Sequence, residues 1–218
     1  MKTLTDRFLS EKDKEQVRAA VGRVEQQTAG EIVPMVTSES ADYPLANVTG
    51  ATVFALPIAL LLTPVVGGML WVGDQNMWVL VFIFAVLYAL SYFAIDQVPA
   101  IKRLFISREE MEEKVESAAM SAFYQQGLYR TRDATGVLIY ISVFEKKVWV
   151  IADQGINQKV GTDQWNGIVS HIVEGIKQSR QTAAICEAIE MVGNLLKDSF
   201  PVRPDDQDEL SNLILDES

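Results

Sequence analysis

Between Gly50 and Ile95 the alternation of polar and apolar positions stops. The stretch GATVFALPIALLLTPVVGGMLWVGDQNMWVLVFIFAVLYALSYFAI holds a single charged residue, Asp74. Two apolar runs, 51–72 and 77–95, flank the polar break Gly73-Asp74-Gln75-Asn76. A helix rises about 1.5 Å per residue, so about 20 residues cross a hydrocarbon core of about 30 Å, and each run reaches that length. Both runs are apolar around the whole helix rather than along one stripe, as a lipid-facing helix is. The pattern predicts a two-helix transmembrane hairpin over residues 50–96, lying inside the chain. Pro57 and Pro64 predict a bend in the first span. Gly67, Gly68 and Gly73 allow close backbone contact with the second. Trp71, Trp78 and Tyr92 fall near the headgroup levels, where amphipathic rings settle.

Outside the hairpin, periodicity returns. Residues 4–29 read as an amphipathic helix with a short lead; Val17, Ala20, Val21 and Val24 form an i, i+3, i+4, i+7 stripe. Ser10-Glu11-Lys12-Asp13 reads as a capping box with Asp in the final place, and Ala29-Gly30 closes the helix. Residues 31–38, EIVPMVTS, read as a strand in which Pro34 removes one backbone donor, which predicts an edge position or a bulge. Beyond the hairpin, VPAIKRLF (98–105) reads as a segment lying along a membrane surface. Ser107-Arg108-Glu109-Glu110 caps a helix lined by Met111, Val115, Ala118, Ala122 and Phe123, with Gly127 at its C′ position.

GVLIYISV (136–143) is apolar on both faces and reads as a central strand, turned back by Phe144-Glu145-Lys146-Lys147 into a partner strand over 148–153. Two helices follow. One spans 163–176, with Trp165, Ile168, Val169, Ile172 and Ile176 inward. The other spans 182–199, with Ile185, Ala188, Ile189, Val192, Leu195 and Leu196 inward, and is stopped by Pro201. The tail, 202–218, is acidic but interrupted by Leu210, Leu213, Ile214 and Leu215. It reads as a solvated end, or alternatively as a short helical peptide that docks on a partner.

These signals give the order α-β-hairpin-α-β-β-α-α: three strands and four helices in an α/β fold, interrupted by the transmembrane hairpin. The first helix and strand bury too little surface to fold alone, so residues 4–49 and 100–201 are expected to form one split domain. Lys102, Arg103, Arg108 and Lys114 follow the second span, whereas the hairpin turn has no Lys or Arg. The positive-inside bias then places the C-terminal flank in the cytoplasm. Two spans return the chain to its starting side, so both termini and the α/β domain are expected there, at the inner membrane of the cell. The N-terminal MKTLTDRFLSEKDKEQ has no apolar run of the kind a cleaved signal needs. A net charge of -10 with no basic patch argues against nucleic acid as a partner. Cys186 is the only cysteine, which excludes an internal disulfide and a cysteine-based zinc site.

The run TGVLIYISVFEKKVWVIADQGINQKVGTDQW (135–165), the helix pair ending Leu195-Leu196 and Phe200-Pro201, and the N-terminal Val24-Glu25-Gln26-Gln27-Thr28-Ala29-Gly30-Glu31-Ile32 together resemble the TPM-domain family. That family takes its name from thylakoid lumen, photosystem II repair and receptor-modulator proteins. The resemblance covers about residues 5–49 and 100–201. It implies an α/β sandwich with a small mixed sheet, and either a role in assembly, repair or maintenance of a membrane protein complex or a metal-dependent, acid-phosphatase-like activity using calcium or magnesium. It also implies a membrane-protein partner besides the lipid bilayer. Here the hairpin interrupts the domain, and Asp-rich metal motifs are sparse.

For a hard cation, which takes several oxygen ligands, the candidate ligands are Asp153 at the end of the second hairpin strand, Asp133 in the link before the central strand, Asp163 near a helix start, and Glu31 at the start of the first strand. Asp153-Gln154-Gly155 also reads as an ordinary turn, and Asp163 as an ordinary helix start. His171, the only histidine, lies off the apolar stripe of its helix and reads as a surface residue. No Ser-His-Asp or Cys-His pattern points to covalent catalysis, and no P-loop or dinucleotide fingerprint is present; no catalytic residue is assigned.

Overall fold

The computed structural model describes residues 3–131, 134–202 and 210–216. The chain forms two compact units, one from residues 1–41 and 112–218, the other from residues 42–111.

The first unit is built on a four-stranded sheet in the order β3-β2-β1-β4, with β1 Glu31–Thr37, β2 Gly136–Ser142, β3 Lys147–Ala152 and β4 Ile214–Asp216. β1 runs parallel to β2 and to β4, and β2 and β3 form the antiparallel hairpin. Every residue of β1 and β2 is buried, which explains their unbroken apolar runs. Side chains alternate across the sheet and meet two cores. Ile32, Val36, Val137, Ile139 and Ile141 pack with residues of α2 (Glu11–Glu25), α8 (Thr162–Lys177) and α9 (Gln181–Leu196). Val33, Met35, Leu138 and Tyr140 pack with Val115, Ala119 and Phe123 of α6 (Arg108–Gln125). The result is a mixed α/β fold with helices on both faces of a small sheet.

Local sequence accounts for the boundaries. The lead before the first long helix is itself a turn of helix, α1 (Leu4–Phe8), and Ser10 starts α2 afresh. The Ser10 hydroxyl accepts from the Asp13 amide at 3.3 Å, and Asp13 accepts from the Ser10 amide at 2.9 Å, so Asp serves in the capping box. The helices approach closely where glycine permits it. A Cβ on Gly193 would lie 2.2 Å from Val24 Cγ1, and one on Gly175 would lie 2.2 Å from Ala184 Cβ.

Pro34 shows how β1 is finished. β1 lies between two strands, but β4 pairs only with Met35, Val36 and Thr37. The Glu31 amide bonds Thr135 on the β2 side and the Ser38 amide bonds Asp216 on the β4 side, so the even-numbered positions face β4. Pro34 therefore turns its donorless nitrogen to a length of edge that β4 leaves open. The Ile32 amide faces the same way and is taken by the Glu25 carboxylate at 3.3 Å. The edge position expected of Pro34 is local to the upstream half of the strand.

The fourth strand corrects the reading of the tail. Ile214–Asp216 is neither a solvated end nor a helix; it is a strand, because its alternating apolar residues reach both cores: Leu213 and Leu215 one, Leu210 and Ile214 the other.

The second unit is a helical hairpin, α3 (Pro44–Met69) and α4 (Met77–Gln97), followed by α5 (Pro99–Lys102) and a 3-10 turn at Arg103–Phe105. Both long helices are long and apolar enough to cross a membrane. α3 passes through Pro57 and Pro64 as one continuous helix. Buried residues recur at every fourth position, Asn47, Ala51, Ala55, Ala59, Thr63 and Gly67, with Ala46 and Gly50 buried beside them. This stripe of small side chains is the type that lets membrane helices approach. The large residues point outward; Leu61 is 74% exposed, Phe82 70% and Trp78 81%. At the turn a Cβ on Gly67 would meet the Gly73 carbonyl at 2.4 Å. Asn76 caps α4 by accepting from the Trp78 and Val79 amides. At the other end Asn47 donates to Asp96 at 3.0 Å, and Lys102 pairs with the same carboxylate oxygen at 3.5 Å.

Candidate functional site

Of the four expected metal ligands, two lie at one end of the sheet. Register places Glu31 beside Gly136, and the Asp153 amide donates to the Gly136 carbonyl at 2.9 Å, so Asp153 continues β3 opposite the same glycine. Strand alternation puts Glu31, Gly136 and Asp153 on the face shared with Val33, Leu138 and Ile151. A Cβ on Gly136 would lie 2.5 Å from the Leu128 carbonyl oxygen, so the absent side chain makes room for that carbonyl beside Gly136. Glu31 is buried and Asp153 half-buried. Asp153 Oδ1 accepts from the Gln154 amide at 2.6 Å and starts the short helix α7 (Gln154–Asn157), while its buried Oδ2 has no hydrogen-bond partner among the described residues.

Asp163 is not part of this arrangement. It is exposed in the first turn of α8, which packs on the opposite face of the sheet. Asp133 lies outside the described residues. Among the described residues no group of three or more His, Cys, Asp or Glu is arranged to hold a metal. Glu31 and Asp153 are donors of the type a hard cation takes, and the Leu128 carbonyl adds a third oxygen of that type.

The other end of the sheet, where the parallel strands finish, holds a polar cluster that the sequence did not reveal. In open α/β sheets this is the end at which ligands commonly bind. Glu145, expected as part of the turn, is 4% exposed. It accepts from the Ser142 hydroxyl and from the Ser40 amide, the latter at 2.9 Å. Ser40 and Tyr140 share a hydroxyl–hydroxyl hydrogen bond at 3.2 Å, and Thr37 donates to the Glu39 carbonyl at 2.9 Å. Burial pushes the Tyr140 phenol above its usual range; the hydrogen bond with Ser40 opposes that shift, while the Glu145 and Asp216 carboxylates reinforce it. Lys146 turns the chain through positive φ, at 56°. The Ser142-x-x-Glu145 spacing is the one available signal, since a hydroxyl three residues from a carboxylate recurs wherever a turn is closed on itself. With Glu145 engaged by both donors, the cluster holds the segment 37–40 rather than presenting a reactive carboxylate.

The remaining candidates are structural. His171 is half-buried rather than a plain surface residue, with Nε2 2.7 Å from Glu187 Oε2 across α8 and α9. Arg180 lies 3.8 Å from the same carboxylate. Cys186 is half-buried on α9, and burial raises its thiol pKa, the opposite of what a nucleophile needs.

Comparison with known proteins supports the mixed α/β fold. The TPM domain family matches residues 100–195, from α5 to the last turn of α9. No curated protein matches the chain. Among solved structures, the NMR structure of BA42 protein from the psychrophilic bacterium Bizionia argentinensis is similar with a TM-score of 0.58, at 21% identity, over 96% of this chain and 95% of that one. That likeness establishes the α/β fold.

Proposed function

We propose that this chain is a membrane-anchored TPM-type protein that works at the cytoplasmic face of the inner membrane, in assembly, repair or maintenance of a membrane protein complex. The observation that carries this reading is the inside-out packing of α3 and α4: small residues buried between them and large apolar ones outside. Lys102, Arg103, Arg108 and Lys114 after α4, against no Lys or Arg in residues 70–76, support the inward orientation. An outward surface rich in Trp, Phe and Leu offers a partner contact within the bilayer. A photo-crosslinking residue at Phe82 should give a discrete adduct with another membrane protein in cells. Adducts with lipid only, together with a monomer in mild detergent, would overturn the complex-maintenance role.

A second reading, a phosphatase-like hydrolase using calcium or magnesium, rests on the buried Asp153 oxygen without a hydrogen-bond partner near Gly136. Glu31, Asp153 and the Leu128 carbonyl would hold the ion, with water completing its shell; the ion would supply Lewis-acid activation of a phosphate ester or water. Titration with calcium or magnesium should shift the amides of residues 134–136 and 152–155, and Asp153→Asn should abolish the shift. No shift at millimolar ion would exclude this reading.

A further inference from the structure

The C-terminal strand β4 occupies a site whose limits are set by the rest of the sheet. Upstream, the β1 edge is closed to strand pairing by Pro34, which has no donor, and by Glu25, which takes the Ile32 amide. Glu25 is itself held by Asn212, whose amide donates to its other oxygen at 3.2 Å. What remains is the length from Met35 to Ser38, whose β4-facing amides are those of Val36 and Ser38. Met35 pairs with Ile214, Val36 with Leu215 and Thr37 with Asp216, and the Ser38 amide bonds the Asp216 carbonyl at 3.1 Å.

The occupant fits by alternation. Leu213 and Leu215 reach the core under α2, α8 and α9, and Leu210 and Ile214 reach the core under α6. Yet its hold is slight. β4 has three residues, all half-buried, where strands usually run to about five or six. Parallel strand addition to an exposed edge is a known mode of peptide capture, in which backbone bonds give affinity and alternate side chains give selectivity. An edge of this kind, covered by a strand of only three residues, also accepts the same strand from elsewhere.

We propose that the β1 edge at residues 35–38 is a strand-docking site, filled in cis by the C-terminal strand and open to the same strand of a second copy of this chain. The encounter between copies rests on the membrane reading above: two chains in one bilayer share an orientation and present their tails on the same side. The docking itself does not depend on that reading.

The test uses the full chain in detergent micelles and a labelled synthetic peptide of residues 210–218. Leu213→Asp with Leu215→Asp releases the resident strand. The released variant should bind the peptide at least ten-fold more tightly than the parent chain, and a peptide carrying the same two Asp substitutions should not bind. Equal binding to both chains, or none to a variant whose β1–β3 amides stay protected from hydrogen exchange, overturns the docking site. Should the substitutions unfold the sheet, hydrogen exchange on the parent chain decides instead. The Val36 and Ser38 amides, which face β4, should exchange at least ten-fold faster than those of Met35 and Thr37, which face β2; equal protection overturns the proposal. For the second copy, differently tagged chains reconstituted in the same vesicles should co-purify, and the released variants should not. Peptide binding without co-purification would overturn the second-copy occupant and leave the cis site standing.

Discussion

The two units of this chain solve opposite packing problems. In the α/β unit, large aliphatic side chains such as Ile139, Ile172 and Ile189 are wholly buried. In the hairpin, Ala51, Ala55 and Ala59 are wholly buried, while Leu61, Phe82 and Trp78 are turned outward. Water drives the first arrangement by expelling apolar surface. The second suits surroundings as apolar as leucine, where close backbone approach rather than burial of large groups holds helices together. The difference is the one that two different solvents would produce, and four measurements can break or sharpen it.

The largest effect should come from Ile139→Ala in β2, which removes buried methylene groups from a site closed on all sides and should cost about 2–5 kcal/mol in denaturant unfolding of the α/β unit. A loss below 1 kcal/mol would mean the sheet is not the core. Next is Leu61→Asp near the middle of α3. On a water-facing surface that change would be nearly neutral, but in a bilayer centre it should cost about 2.5–3.5 kcal/mol of insertion free energy, read as a shift of the chain from the membrane to the soluble fraction. Unchanged membrane partition would remove the lipid-facing assignment.

Ala55→Leu should separate α3 from α4 at a cost of about 1–3 kcal/mol, as overpacking does in a tight contact. Distance measurements between spin labels at residues 58 and 82 would show the widening. The smallest effect concerns pH. Tyr140 is held neutral by burial, so its folded pKa exceeds the unfolded value of about 10. Its contribution to stability is complete below that pH and is lost as pH rises through the raised folded value. Tyr140→Phe should flatten the loss of stability as pH rises above about 10, and an unchanged slope would assign that loss to other groups.

Much of this fold is written locally. The capping box at Ser10, the Val17–Val24 stripe and the apolar run in β2 each act through neighbours a few residues away, and each lies where periodicity places it. The hairpin is equally legible because its length and composition mark it off from the rest of the chain. What the pattern leaves hidden is made by distant residues meeting. Ile214, Leu215 and Asp216 become a strand by pairing with the short edge that Pro34 and Glu25 leave open elsewhere in the chain. Glu145 is buried only because Ser40, far away in sequence, brings an amide to it. Among the candidate ligands, Glu31 and Asp153 converge through strand register, while Asp163 is separated from them because its helix packs on the other face. Asp133 lies outside the described residues.

The central claim is that α3 and α4 cross a membrane and return both flanks of the insertion to the same side. Single cysteines at Glu15, Asp74 and Glu113, in a chain carrying Cys186→Ala, test it through labelling of intact cells with a membrane-impermeant maleimide. Asp74→Cys in the hairpin turn should label at once, whereas Glu15→Cys and Glu113→Cys should label only after the membrane is opened. Equal labelling of all three positions, or protection of the turn with labelling of both flanks, would contradict the account.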